Sequence, residues 1–209
     1  MTADSSGASG DRSSGVSGPN VLFVGTSLTA GLGLDPSKAY PAVLQRMADS
    51  AGYAIHVVNA GLSGETSAGA LRRLDWLLRE PASMVVLETG ANDGLRGLDV
   101  DSTKANLEAI VRLVKRTLPH AEIFLVQMEA PPNLGADYTR RFHDNYGEVA
   151  KGEGITLLPF LLEGVAGVRA LNQGDGIHPT EAGAVIVARN LWRSLAPELS
   201  RLAKAPKPG

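Results

Sequence analysis

The stretch Val21-Leu22-Phe23-Val24-Gly25-Thr26-Ser27-Leu28-Thr29-Ala30-Gly31 decides the fold. Its first four residues form an unbroken apolar run of strand length, as a strand buried on both faces requires. The run stops at a glycine and gives way to small and hydroxylated residues, so the strand ends in a tight polar turn. A helix expected shortly after Gly31 would point its first amides at an anion beside Ser27.

The pattern recurs downstream. Ile55-His56-Val57-Val58, Met84-Val85-Val86-Leu87, Ile123-Phe124-Leu125-Val126 and Ile155-Thr156-Leu157-Leu158 read as further strands. Helical spacing of apolar residues fills 39–51, 67–79, 103–118, 138–151 and 180–195; in one of these, Leu107, Ile110, Val111 and Val114 oppose Lys104, Glu108, Arg112 and Lys115. Strict strand–helix alternation implies right-handed crossovers and an α/β fold. The expected architecture is a three-layer α/β/α sandwich around a five-stranded parallel sheet, with the loops leaving the strand C-termini along one edge.

Composition bounds the function. The chain has 209 residues, 44% hydrophobic and 20% charged, which is enough for one sizeable core and short for two. A single domain is expected over 21–203, preceded by a disordered Ser/Gly-rich segment over 1–20 and followed by a frayed tail over 204–209. The net charge of −2, with no basic cluster, argues against a nucleic-acid partner. Without cysteine there is neither a thiolate nucleophile nor a Cys-based metal site. No apolar stretch in 1–20 suits a signal-peptide core or membrane span, so no stable membrane insertion is expected; cytoplasmic and exported locations both stay open, as does the oligomeric state.

Several loops at the expected edge carry chemistry. Ser27 follows the first strand, Asn59 to Thr66 with Gly61 and Gly64 follows the second, Gly90-Ala91-Asn92-Asp93 the third, and Pro131-Pro132-Asn133 the fourth. Asp175-Gly176-Ile177-His178 precedes the last helix, and its spacing lets the acid orient the imidazole through Nδ1. A serine hydroxyl becomes a nucleophile when a base takes its proton and a carboxylate holds that base, and Asn92 can offer an amide to a developing oxyanion. Singly, Ser27 reads as a helix cap, Asp175 as a turn residue and His178 as part of a loop; their combination outweighs those readings. Glu88 reads as a satisfied buried carboxylate, Asp93 as a tie for its own loop, and Arg72, Arg73 and Arg79 as a solvated helix face. Glu129 and Arg96 lie near the cleft, while His56, His120 and His143 lack a catalytic constellation.

Gly25-Thr26-Ser27-Leu28, Gly64, Gly90-Ala91-Asn92-Asp93 and Asp175-Gly176-Ile177-His178 stand in the order of the four blocks of the SGNH, or GDSL-type, hydrolases, and the chain resembles that family from about Val21 to Leu195. The nearest likeness is to the branch of multifunctional thioesterase I, arylesterase and lysophospholipase L1, through Asn59 to Thr66, Gly94-Leu95-Arg96-Gly97 and Asp175 to Pro179. The resemblance implies a flavodoxin-like fold with Ser27 as nucleophile, His178 as base and Asp175 as its acid. It implies an oxyanion hole from the Ser27 and Gly64 amides and the Asn92 side chain, with no metal or organic cofactor. Short- to medium-chain aryl and alkyl esters are the implied small-molecule substrates, with thioesters and lysophospholipids beside them. Leu28, Leu95, Arg96, Ala130, Pro131 and Ile177 are candidate substrate contacts. The family usually has Asp where this chain has Thr26, and often Gly where it has Ala91.

Four other readings compete. A flavodoxin-like FMN module would use Gly25 to Gly31 as a phosphate loop, but has no need of Asp175 and His178 and finds few aromatics to sandwich a flavin. A carbohydrate esterase or silent carbohydrate-binding relative would share the blocks. An ordinary α/β-hydrolase wants Gly two residues after its serine, where this chain has Thr29.

Overall fold

The computed structural model describes residues 18–205 and places the opening apolar run in β1 (Asn20–Gly25), flanked by β2 (His56–Gly61) and β3 (Met84–Leu87). With β4 (Glu122–Val126) and β5 (Thr156–Leu158) these form a parallel sheet in the order β2-β1-β3-β4-β5. The expected five-stranded parallel sheet is therefore present. Val21, Val24 and all of β3 are shut from solvent, which is why their sequences are continuous rather than alternating.

Seven helices are described: α1 (Ser27–Ala30), α2 (Tyr40–Ser50), α3 (Ser67–Leu77), α4 (Ala91–Leu95), α5 (Val100–Thr117), α6 (Ala136–Glu153) and α7 (Glu181–Lys204). α2 packs on α7, while α3, α5 and α6 pack together, completing the layers on either side of the sheet. The order of strands reverses between β1 and β3, so the crevice outside their carboxyl ends is a natural ligand position.

Several boundaries differ from the sequence reading. The first helix begins at Ser27 itself, not after Gly31, because the Thr26 side chain caps it and Gly31, in the left-handed region at φ 74°, ends it. β2 continues through Asn59, Ala60 and Gly61, since pairing in register with β1 holds as far as Gly25 and Gly61. As an edge strand it is only partly buried, with His56 and Asn59 exposed. α5 starts at Val100, where the Asp99 carboxylate accepts from the Ser102 amide. α7 runs through Pro197 to Lys204 instead of stopping near Leu195. A proline inside a helix costs about 3 kcal/mol, whereas burying Leu199 and Leu202 recovers about 1.5–3 kcal/mol each. The described elements run from Asn20 to Lys204, and the expected leader over 1–20 and tail over 204–209 fall mostly on residues 1–17 and 206–209, which lie outside the described part.

Candidate active site

β1 delivers the polypeptide into a buried turn. Thr26 is 1% exposed and Ser27 8%. Below them lies Glu88, at the end of β3 and fully buried. Its Oε2 accepts from the Thr26 amide at 2.8 Å and from Thr29 Oγ1 at 2.7 Å, and the Thr26 hydroxyl lies 3.0 Å from both carboxylate oxygens. Thr29 Oγ1 is 2.7 Å from the buried Tyr40 hydroxyl. Burial pushes the Glu88 carboxyl from 4.5 up to about 7, against the lowering effect of the bonds from Thr26 and Thr29. Burial raises the Tyr40 phenol well above its ordinary range, helped by the neighbouring Glu88. Thr26, at the position where the family usually has aspartate, donates its hydroxyl to the Glu88 carboxylate.

Gly25 makes this approach possible. A Cβ there would stand 1.9 Å from Thr29 Oγ1 and 2.7 Å from Glu88 Oε2.

A histidine reaches Ser27 from the other end of the chain. His178 Nε2 lies 2.8 Å from Ser27 Oγ, and its Nδ1 lies 2.6 Å from Asp175 Oδ2. The other carboxylate oxygen, Oδ1, accepts from the Ile177 amide at 2.9 Å and the His178 amide at 3.0 Å, so the acid folds its own loop around itself. The bond to His178 and those two amides hold the Asp175 carboxyl down at about 2. A second tie joins this loop to the nucleophile side: the Gln173 side-chain amide donates to Leu32 O at 2.7 Å and to Pro179 O at 2.9 Å.

Two further loops close in beside the turn. The Leu62 amide donates to Gly25 O, and Gly64 sits at φ 78°, a conformation that favours glycine. The Asn92 side-chain amide donates to Glu65 O at 2.9 Å, and the Arg96 guanidinium to Gly64 O at 2.9 Å. Buried Asp93 accepts from the Ser67 amide at 2.8 Å and its hydroxyl at 2.5 Å, the loop-tying role its position suggested. Gly64 and Asn92 thus belong to one bonded unit that is itself bonded to Gly25, the end of the strand leading into Ser27. Arg73 does not lie on a solvated face: it pairs with Glu65 at 2.5 Å and donates to Ala60 O at 2.7 Å, pinning the end of β2.

The candidate substrate contacts fall into two groups. Leu95 and Ile177 are exposed, 43% and 39%, as are Leu32 and Leu62, 46% and 50%; Leu95 ends α4 and the other three stand on loops that carry or border the site. Arg96 is exposed as well, and Ala130 and Pro131 are half-buried. Leu28 differs: it is 8% exposed and packs into the core, lining a narrow crevice with Ser27, His178, Leu161 and Leu162. Glu129 pairs with His143 at 2.7 Å. Among the described residues, no group of three or more His, Cys, Asp or Glu side chains is placed to hold a metal ion, and no helix is long and apolar enough to cross a membrane.

Sequence reading missed Thr29, Tyr40, Arg73 and Gln173 as parts of this assembly. A single ionisable residue in an apolar strand was the one available signal, and it pointed to Glu88 without naming its partners. Gln173 gave none, because its two acceptors are main-chain carbonyls.

Known proteins resemble this chain in sequence and in fold. The esterase TesA of Pseudomonas aeruginosa is 43% identical over 180 residues, which cover 86% of this chain and 89% of TesA. The thioesterase 1/protease 1/lysophospholipase L1 of Escherichia coli K12 is 37% identical over 178 residues, covering 85% and 83% of the two chains. The crystal structure of the psychrotrophic esterase EstA from a Pseudoalteromonas species, inhibited by monoethylphosphonate, superposes with a TM-score of 0.82 at 33% identity, covering 87% of this chain and 98% of that one. Residues 23–186 match the GDSL-like lipase/acylhydrolase family, and the chain belongs to that family.

Proposed function

We propose that this chain hydrolyses carboxylic esters through a covalent acyl-enzyme on Ser27. The observation that carries the reading is the continuous line from Asp175 Oδ2 through the His178 ring to Ser27 Oγ, at 2.6 and 2.8 Å. Asp175, ionised down to about pH 2, accepts a hydrogen bond from Nδ1–H and so holds the tautomer whose Nε2 is free to accept from the serine. Ser27 Oγ then bonds to the ester carbon while its proton passes to Nε2. The imidazolium returns that proton to the departing alkoxide oxygen as the ester C–O bond breaks. Water repeats the sequence on the acyl-enzyme, and the serine recovers its proton.

The oxyanion is held by the Ser27 and Gly64 amides and the Asn92 side chain. Asn92 has two amide hydrogens, and the bond to Glu65 O uses one of them. Residues 21–203 act as one catalytic unit. The exposed apolar side chains of Leu32, Leu62, Leu95 and Ile177 suit the acyl or aryl part of an ester better than a sugar, and the names of the relatives extend the range to thioesters and lysophospholipids.

Intact-mass analysis after treatment with a fluorophosphonate tests the assignment. One adduct mapped to Ser27 is expected, with labelling of His178→Ala slowed by at least about a hundredfold. An unlabelled Ser27, or equal rates for the two proteins, overturns it. A survey of acyl-chain length completes the test, and cleavage of acetylated sugars alone would overturn the substrate assignment.

A further inference from the structure

We infer that Glu88, which touches neither the serine nor the histidine, is a positioning residue that must be ionised for Ser27 to be held ready to react. The inference rests on the esterase reading above and adds to it a second proton-controlled group.

The argument is a count of hydrogens. Glu88 Oε1 and Oε2 face the Thr26 amide, the Thr26 hydroxyl and the Thr29 hydroxyl. The amide is an obligate donor. The Thr26 hydroxyl oxygen already receives the Leu28 amide that caps α1, at 3.4 Å, so its own hydrogen is free to go to Glu88. Thr29 likewise accepts from the Tyr40 hydroxyl and donates to Glu88. With a carboxylate every hydrogen has an acceptor, because an ionised carboxyl group only accepts. A protonated Glu88 brings a further hydrogen into a buried site already supplied with donors, and a threonine or tyrosine hydroxyl loses its acceptor. The residue disturbed is the cap of the short helix whose first residue is Ser27.

The surroundings of Glu88 set the pH at which this happens. The titratable groups facing it are the phenols of Tyr40 on α2 and Tyr146 on α6, both held neutral by burial. Among the described residues, no charged side chain bonds to Glu88. Burial without a cation therefore keeps its carboxyl near 7 while the threonine donors oppose that rise.

Ser27 then depends on two groups being free of a proton, the general base that takes its hydrogen and Glu88. The experiment follows the fluorophosphonate labelling rate of Ser27 from pH 5 to pH 9 in the intact protein. The parent rate should fall more steeply than tenfold per pH unit, approaching about a hundredfold, and Glu88→Gln should return the slope to about tenfold. Thr29→Val covers the case in which Glu88→Gln fails to fold: it removes one donor to the charged form, and the steep limb should move to higher pH by about one unit. A parent slope of tenfold, or a Thr29→Val limb at the parent position, overturns the inference while leaving the Ser27 assignment intact. Absence of labelling at every pH would instead remove the esterase reading.

Discussion

Two carboxylates are linked to Ser27 through bonded neighbours and live in opposite environments. Glu88 is fully buried at the end of a central strand, and its pKa is driven up to about 7; the Asp175 side chain is 45% exposed on a loop, and its pKa is held at about 2. Desolvation dominates the first and hydrogen bonding the second. One wall of the site is thus fixed by the sheet and its core. The other is fixed by a turn that Asp175 folds around itself, with help from Gln173. Damage to the exposed wall should change rates without changing the fold, while damage to the buried wall should change both.

The largest effect expected from breaking this contrast is in Asp175→Asn. Its side-chain oxygen can still accept from the Ile177 and His178 amides, so the loop keeps its shape. Its amide, however, donates toward Nδ1 and favours the tautomer whose Nε2 carries a hydrogen and cannot take the serine's. A loss of about 10⁴-fold in kcat is expected, with the melting temperature close to the parent's. Steady-state kinetics beside a thermal melt check it, and a kcat within tenfold of the parent would show that Asp175 does not set the tautomer.

The same contrast explains what was legible in the sequence. β1 and β3 could be read because burial on both faces leaves an unbroken apolar run, and Ser27, Asn92, Asp175 and His178 because their residue types are chemically specific. The self-contained Asp175 turn was readable from its two-residue spacing. The buried wall was not: Thr29 and Tyr40 are ordinary residues that acquire meaning when β3 brings Glu88 beneath them. Helix ends failed for a related reason. The length of α7 is set by where Leu199 and Leu202 find a core, while Pro197 locally argues for a stop. Arg73 was misread because helical spacing cannot show that the end of β2 comes within reach of its guanidinium.

A smaller effect separates the two carboxylates by their influence on stability. The Glu88 carboxyl titrates higher in the folded protein than its ordinary 4.5, so the stability it contributes is fully present below 4.5 and is lost as pH rises through about 7. At about 1.4 kcal/mol per pH unit, that loss is on the order of 3 kcal/mol. Asp175 has the opposite sign: its contribution is present above 3.8 and fades as pH falls through about 2, and its exposure keeps it small. Thermal melts from pH 5 to pH 8 should therefore show a decline that Glu88→Gln flattens and Asp175→Asn leaves in place. Parallel curves for the parent and Glu88→Gln would deny Glu88 this role. The decline runs against activity, since the charged form that weakens the fold is the form that seats Ser27.

The smallest effect concerns the tie between the walls. Gln173 donates both amide hydrogens to carbonyls on opposite sides, Leu32 after the nucleophile turn and Pro179 after the histidine. Losing these bonds at a partly exposed site costs about 1 kcal/mol, so Gln173→Ala should label about fivefold more slowly with little change in KM. Gln173→Glu should be worse than alanine, because it aims a carboxylate at two carbonyl oxygens in place of two donors. If the tie works by holding His178 against Ser27, its effect should shrink in the Asp175→Asn background, where the imidazole is already in the wrong tautomer. A double-mutant cycle on the labelling rate measures this, and strictly additive losses would mean that Gln173 supports the fold without positioning the base.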